Sequence, residues 1–182
     1  MIVLSVFDET ANAVRPWAEA GYECWCVDIQ HRGDTIRDGI RFIGADARYY
    51  RPPCGVEYAM CFCWPPCTHL SISGARWFKG KGLPALSQSI DLVAHAVAIA
   101  EATGAPYLIE QPMSTLSTYW RPPDYKFDPC DYGLYLDPPG DAYTKQTWLW
   151  TGGASSCRRR WALSPSKGRR CTSCRRVRDV RA

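Results

Sequence analysis

No apolar run among the 182 residues reaches the roughly 18 needed for a membrane-spanning helix. No basic residue precedes the apolar stretch Met1-Ile-Val-Leu-Ser-Val-Phe7, and Asp8-Glu9 follow it at once, so it does not read as a secretory signal. There is no internal repeat, and no composition of the collagen-like, coiled-coil or wholly disordered kind. Acid is almost missing from the C-terminal end, where Asp179 is the lone acidic residue after position 150. What remains is an ordinary globular composition, 46% hydrophobic and 22% charged, with 14 Gly and 14 Pro. A chain of this size buries about two-thirds of its extended surface and needs no staples to fold. The expected location is the cytoplasm.

The net charge of +4 hides an asymmetry. Residues 1–150 carry 12 Lys/Arg against 17 Asp/Glu, a net −5; residues 151–182 carry 10 against one, a net +9. The expected division is therefore a mildly acidic body, 1–150, and a basic, Cys/Arg-rich tail, 151–182. Such a tail favours polyanions, and nucleic acid is the abundant one in a cytosol.

Ten cysteines without an export signal are expected to stay reduced, as buried thiols, metal ligands or a nucleophile. Cys24 and Cys26, like Cys61 and Cys63, alternate along apparent strands and read as small buried hydrophobes. Cys171-Thr-Ser-Cys174 is a lone CxxC; with Cys157 it forms a minor candidate for structural zinc, Cys130 being a possible fourth ligand. The 157–171 spacing fits no standard zinc pattern, so the reading carries no metal.

Short apolar runs predict strands at Ile2–Phe7, Tyr22–Val27, Ile40–Ile43, Tyr58–Cys63 and Tyr107–Glu110, with another over Thr144–Trp150. A short helix is expected over 12–20, capped by Gly21. A long helix is expected over Ala85–Thr103, because Leu86, Ile90, Val93, Val97 and Ala100 form one continuous stripe that Gly104 ends. Residues 117–142, rich in Pro, Asp and Tyr, read as a long loop. Near-continuous apolar strands alternating with helices predict an α/β fold, a mostly parallel sheet with helices on both faces. Phe7, Asp28, Asp46, Cys67 and Glu110 all fall at or just beyond the carboxyl ends of these strands, where such sheets bind ligands.

The segment Trp64-Pro-Pro-Cys-Thr-His-Leu-Ser-Ile-Ser-Gly74 resembles the catalytic loop of cytosine-5 DNA methyltransferases, in which Pro-Cys follows a strand and leads to a Ser and a Gly. Three further segments fall in that family's order. Val3-Leu-Ser-Val-Phe7 with Ala20-Gly21 is similar to its first cofactor motif. Asp28 stands where its ribose-binding acid stands, and Leu108-Ile-Glu110-Gln-Pro112 is similar to its Glu-Asn-Val/Pro motif. The resemblance covers roughly residues 1–150 and is strongest to short, phage-type members, whose endings look like Tyr143-Thr-Lys-Gln-Thr-Trp-Leu-Trp150. It differs in three respects: Asp8-Glu-Thr-Ala-Asn12 holds no glycine where the family has several, the family's Gln-x-Arg-x-Arg is echoed only by Lys145-Gln146, and the large variable region with which the family reads DNA sequence has no counterpart.

The resemblance implies a Rossmann-like, S-adenosylmethionine-dependent methyltransferase fold acting on DNA in the cytoplasm of a bacterium or a phage-infected host. It implies Cys67 as nucleophile toward carbon 6 of a flipped-out cytosine, and Glu110 as the acid at nitrogen 3. It assigns Phe7, Asp28, Asp46 and Pro65 to S-adenosylmethionine, Phe7 by stacking on the adenine. It assigns Ser71, Ser73, Arg76, Lys79 and Lys145 to the substrate; His69 reads as a loop hydrogen-bonder rather than a base. Three alternatives stand beside this reading: the same chemistry on a free cytosine nucleotide, a catalytically inactive DNA- or metal-binding relative that keeps the fold, and a related transfer of a group other than methyl from a modified cofactor.

The tail supplies a prediction of its own. With half of its nine net charges on phosphates, truncation at Gly152 is expected to flatten the log–log salt dependence of DNA binding by roughly four units, without regard to sequence. Titrations of full-length and truncated protein at several salt concentrations measure this; an unchanged slope makes the tail a bystander.

Overall fold

The structure, a computed structural model, describes residues 1–135 and 140–153. The proposed zinc ligands Cys157, Cys171 and Cys174, and nearly all of the basic tail, lie outside the described residues. Among the described residues no group of three or more His, Cys, Asp or Glu side chains converges as a metal site.

Eight strands form one mixed sheet: β1 (Ile2–Val6), β2 (Glu23–Asp28), β3 (Asp34–Arg37), β4 (Ile40–Gly44), β5 (Tyr58–Cys63), β6 (Tyr107–Pro112), β7 (Tyr125–Phe127) and β8 (Thr147–Gly152), in the order β3-β4-β2-β1-β5-β6-β8-β7. The five strands from β4 to β6 pair in parallel, while β3, β8 and β7 join by antiparallel pairing. Chain order runs from β1 through β2 to β4 on one side and from β5 to β6 on the other, so the winding reverses between β1 and β5. That is the topological switch point, where the loops leaving the two strands part and open a crevice.

Parallel strands covered on both faces read as unbroken apolar runs. Ile2 to Val6 and Cys24 to Val27 are buried residue after residue. Side chains alternate between two cores. Ile2, Leu4, Val6, Cys61, Cys63 and Ile109 meet helix α2 (Phe78–Ala102) on one face; Val3, Cys24, Cys26, Met60 and Phe62 meet Val14 and Trp17, around helix α1 (Arg15–Glu19), on the other. The expectation of helices on both faces holds. α2 buries Ser89, Val93, Ala96, Ile99 and Ala100, with Leu86, Ile90 and Val97 packed beside them, so its buried stripe is wider than the one read from sequence.

Three differences from the sequence reading have physical causes. α2 begins seven residues before Ala85, but Gly82 (φ 72°, ψ −178°) breaks it, and Pro84, which has no N–H, opens the long segment. With the turn before it, Ile72–Ala102 is long and apolar enough by composition to cross a membrane (mean hydropathy 1.4); Asp91 and Glu101 interrupt the run that residue-by-residue reading looks for. In the fold this stretch is the helix that covers the sheet. β3, which was not expected, is a fully exposed edge strand; Asp38 (φ 51°) and Gly39 (φ 74°) turn the chain into β4 with two left-handed residues, the signature of a tight hairpin. Within the expected long loop, β7 adds a three-residue edge strand and α3 (Leu116–Tyr119) a single helical turn.

Gly44 ends β4, and a Cβ there would run into the His31 carbonyl and stand 2.9 Å from the Gly33 nitrogen. Gly44→Ala is therefore expected to push aside the loop that leaves β2 at Asp28 and to cost about 1–3 kcal/mol, as overpacking does. Urea denaturation reads this as a lowered midpoint; an unchanged midpoint means the loop gives way freely.

Candidate active site

The carboxyl edge of the parallel strands carries most of the chemistry-bearing side chains. β5 runs into Trp64-Pro65-Pro66-Cys67, and parallel pairing sets Cys63 against Ile109 on β6. One step on, Trp64 lies level with Glu110 and Pro65 with Gln111. The buried Gln111 amide donates to the Pro65 carbonyl, which fastens the Pro-Pro-Cys turn to the neighbouring strand. After the half-buried Cys67, its carbonyl accepts the Leu70 and Ser71 N–H groups at 3.0 and 2.9 Å, closing a helical turn. Ser71 and Ser73 share a hydrogen bond of 2.8 Å, and Ser71 bridges to Ser114 beyond β6. The loop is thus held at both ends by the β6 strand and its extension.

Glu110 shares its face of the sheet with Leu108 and Trp64, which belong to the α1-side core. Burial pushes its carboxyl above the ordinary range, and the Lys145 ammonium draws it part of the way back. Lys145 stands just before β8, where Met113 donates to the Gln146 carbonyl at 2.9 Å. Arg76 and Lys79 are exposed beyond the Cys67 loop, Arg76 lying over the Trp77 ring at 5.0 Å.

The first loop is organised by a carboxylate. Asp8 is buried and accepts the Ser5 hydroxyl at 2.7 Å and the backbone N–H groups of Thr10 and Ala11 at 3.0 and 2.7 Å. Trp64 Nε1 donates to the same Ser5 hydroxyl at 3.0 Å, so Ser5 links this loop to the Pro-Pro-Cys turn across the switch point. Phe7 (φ 60°) and Ala11 (φ 61°) take left-handed conformations that glycine ordinarily supplies. The loop keeps its sharp path without glycine because Asp8 holds its amides.

The remaining candidates are more self-contained. Asp28 ends β2, half-buried, and accepts the Gln30 N–H at 2.8 Å. Asp46 gives both oxygens to the Arg48 guanidinium, which holds its carboxyl below the usual range. Three of the buried thiols are poor nucleophiles. Burial and the Glu23 charge push Cys24 up to about 11, burial and Asp8 raise Cys26, and the Cys61 hydrogen bond with burial raises Cys63. Sequence reasoning passed over Asp8, Ser5 and the anchoring role of Gln111. An Asp followed two and three residues later by a tight bend was the available signal for Asp8; the Gln111 anchor shows only in the pairing register.

No known family model matches this chain, and no curated protein matches it.

A raised carboxyl binds its proton more tightly in the folded chain than in the unfolded one. The stabilisation is complete below the unfolded value of about 4.5 and is lost as pH rises through the higher native value. Glu110→Gln removes that loss. Relative to the unmodified protein the variant should gain stability as pH is raised from about 4 to about 7, which paired denaturation midpoints measure. A difference that does not move with pH means that Glu110 ionises freely.

Proposed function

We propose that this chain is a cytosine-5 methyltransferase, moving the methyl group of S-adenosylmethionine to carbon 5 of cytosine in DNA through a covalent Cys67 adduct. The observation that carries the reading is the placing, at the carboxyl ends of two adjacent strands, of a thiol on a turn anchored by Gln111 and a half-buried carboxyl with raised proton affinity. Apart from the antiparallel edge strand β3, the strand order is β4-β2-β1-β5-β6-β8-β7 with β8 alone running against its neighbours, which fits the Rossmann-like methyltransferase fold that the resemblance implies.

The first loop suits the cofactor. In a dinucleotide-binding loop, free backbone N–H groups face a pyrophosphate. Here the Thr10 and Ala11 amides are already taken by Asp8, so the loop offers no cradle for phosphate. An adenosyl cofactor without phosphate fits such a loop; a dinucleotide does not. Phe7, Asp28 and Pro65 line the edge where it would lie, with Asp28 able to accept the ribose hydroxyls. Asp46, occupied by Arg48, must exchange that partner to take part. S-adenosylmethionine supplies an electrophilic methyl group.

The protein side of the reaction follows from the residues. Cys67 sulfur adds to carbon 6 of the ring, while Glu110 delivers a proton at nitrogen 3, so that the displaced electron pair resides on carbon 5. The Lys145 charge favours the carboxylate that remains. Carbon 5 takes up the methyl group, its proton passes to a water as the Cys67 thiolate is expelled, and nitrogen 3 returns its proton to Glu110. A paired base cannot reach Cys67, so the target must be unpaired or flipped.

Incubation with DNA containing 5-fluorocytosine and S-adenosylmethionine should leave an adduct that peptide mass spectrometry locates at Cys67. Cys67→Ser should form none, and Glu110→Gln should slow transfer by about 10²–10⁴. The glycine-free loop favours one competing reading, an inactive DNA-binding relative; DNA binding with neither adduct nor methyl transfer would establish it.

A further inference from the structure

A cavity of about 290 Å³ lies beside the Cys67 loop, and of the residues assigned to cofactor or substrate only Lys79 reaches it. His69, Phe78, Lys79, Lys81, Leu83 and Tyr119 line it; neither Cys67, Glu110 nor any of the residues assigned to the cofactor does. Lys81 Nζ donates to the Thr68 carbonyl at 2.8 Å, which ties the wall of the cavity to the residue after Cys67. His69 stands two residues beyond Cys67, a separation of at most about 7 Å along the chain, and its Nδ1 is buried without a partner.

The character of the lining narrows what belongs there. It holds two lysines and a histidine and no acid, so an anion is favoured. Leu83 is 79% exposed and Tyr119 53% exposed, beside the α2 break at Gly82. A bare phosphate has no use for such apolar surface, and a volume at the bottom of the usual ligand range suits one base better than a whole cofactor. A base with an exposed face and an attached phosphate satisfies both halves of the lining. In a duplex that face is covered by its neighbours; in a single strand it is available.

We propose that this cavity is a subsite for the nucleotide next to the target cytosine in single-stranded DNA. The base lies on Tyr119 and Leu83, and the phosphate meets Lys79 and Lys81. The proposal rests on the DNA cytosine reading above, since it is the nearness of Cys67 that makes this nucleotide the target's neighbour.

The full chain is titrated by fluorescence anisotropy with a short labelled single-stranded DNA containing one cytosine, and with the same sequence as a duplex. The single strand should bind more tightly. Tyr119→Ala and Leu83→Glu should weaken it, the first by about 5- to 150-fold as loss of one stacked base does, while Tyr119→Phe restores it. Lys79→Ala should lower the salt slope by about 0.7. Melting curves check that these exposed-site variants stay folded. A 5-fluorocytosine version of the single strand reads Cys67 chemistry separately. If the adduct forms but Tyr119→Ala and Leu83→Glu bind the single strand like the unmodified protein, the subsite is wrong and the methyl-transfer reading stands. If no adduct forms but these variants lose single-strand binding, the cavity is a nucleotide site and the methyl-transfer reading falls. Equal affinity for duplex and single strand overturns the single-strand assignment.

Discussion

Strand β1 is paired in parallel on both of its edges, and every residue from Ile2 to Val6 is buried. This double pairing makes the rest of the architecture possible. With β2 on one side and β5 on the other, the loops leaving β1 and β5 must diverge, because each crossover returns to a different half of the sheet. The Ser5 hydroxyl sits at that divergence and is shared by Asp8 and Trp64. A small buried hydroxyl in an otherwise apolar strand thus couples the path of the first loop to the turn that presents Cys67. In a low-dielectric interior such a shared group is held firmly, since loss of either partner leaves buried polarity unsatisfied.

The parts of this arrangement that show in the sequence are those that burial writes there. The central parallel strands announce themselves as unbroken apolar runs, and Glu110 stands out because a carboxylate ending such a run is unusual. β3 left no such trace: all four of its residues face solvent, and only the Asp38-Gly39 pair marked its hairpin. β7 is three residues long, shorter than any period can reveal. The early start of α2 was hidden by Gly82 and Pro84, residues that ordinarily end helices. Gln111 was invisible for a different reason: its importance lies in the Pro65 carbonyl, a partner brought to it by register, and composition carries no record of that partner.

The first loop shows how one chain meets a conformational demand in a different way. Sharp loops at strand ends usually recruit glycine for positive φ. Phe7 and Ala11 adopt such angles here, and the strain is offset by the Asp8 carboxylate gathering two backbone N–H groups and the Ser5 hydroxyl. The substitution has a chemical corollary, since a loop that supplies its own anion is closed to another. Ligand preference at the switch point is thereby linked to how the backbone is held.

Four thiols, Cys24, Cys26, Cys61 and Cys63, lie wholly shielded on the two strands that flank β1, whereas Cys54 is open to solvent and Cys67 partly so. The distribution gives the molecule a built-in clock. Alkylating reagents reach the outer sulfurs of the native chain directly, but reach the inner four only when the sheet itself comes apart. Labelling of that inner set therefore times the opening of the central strands.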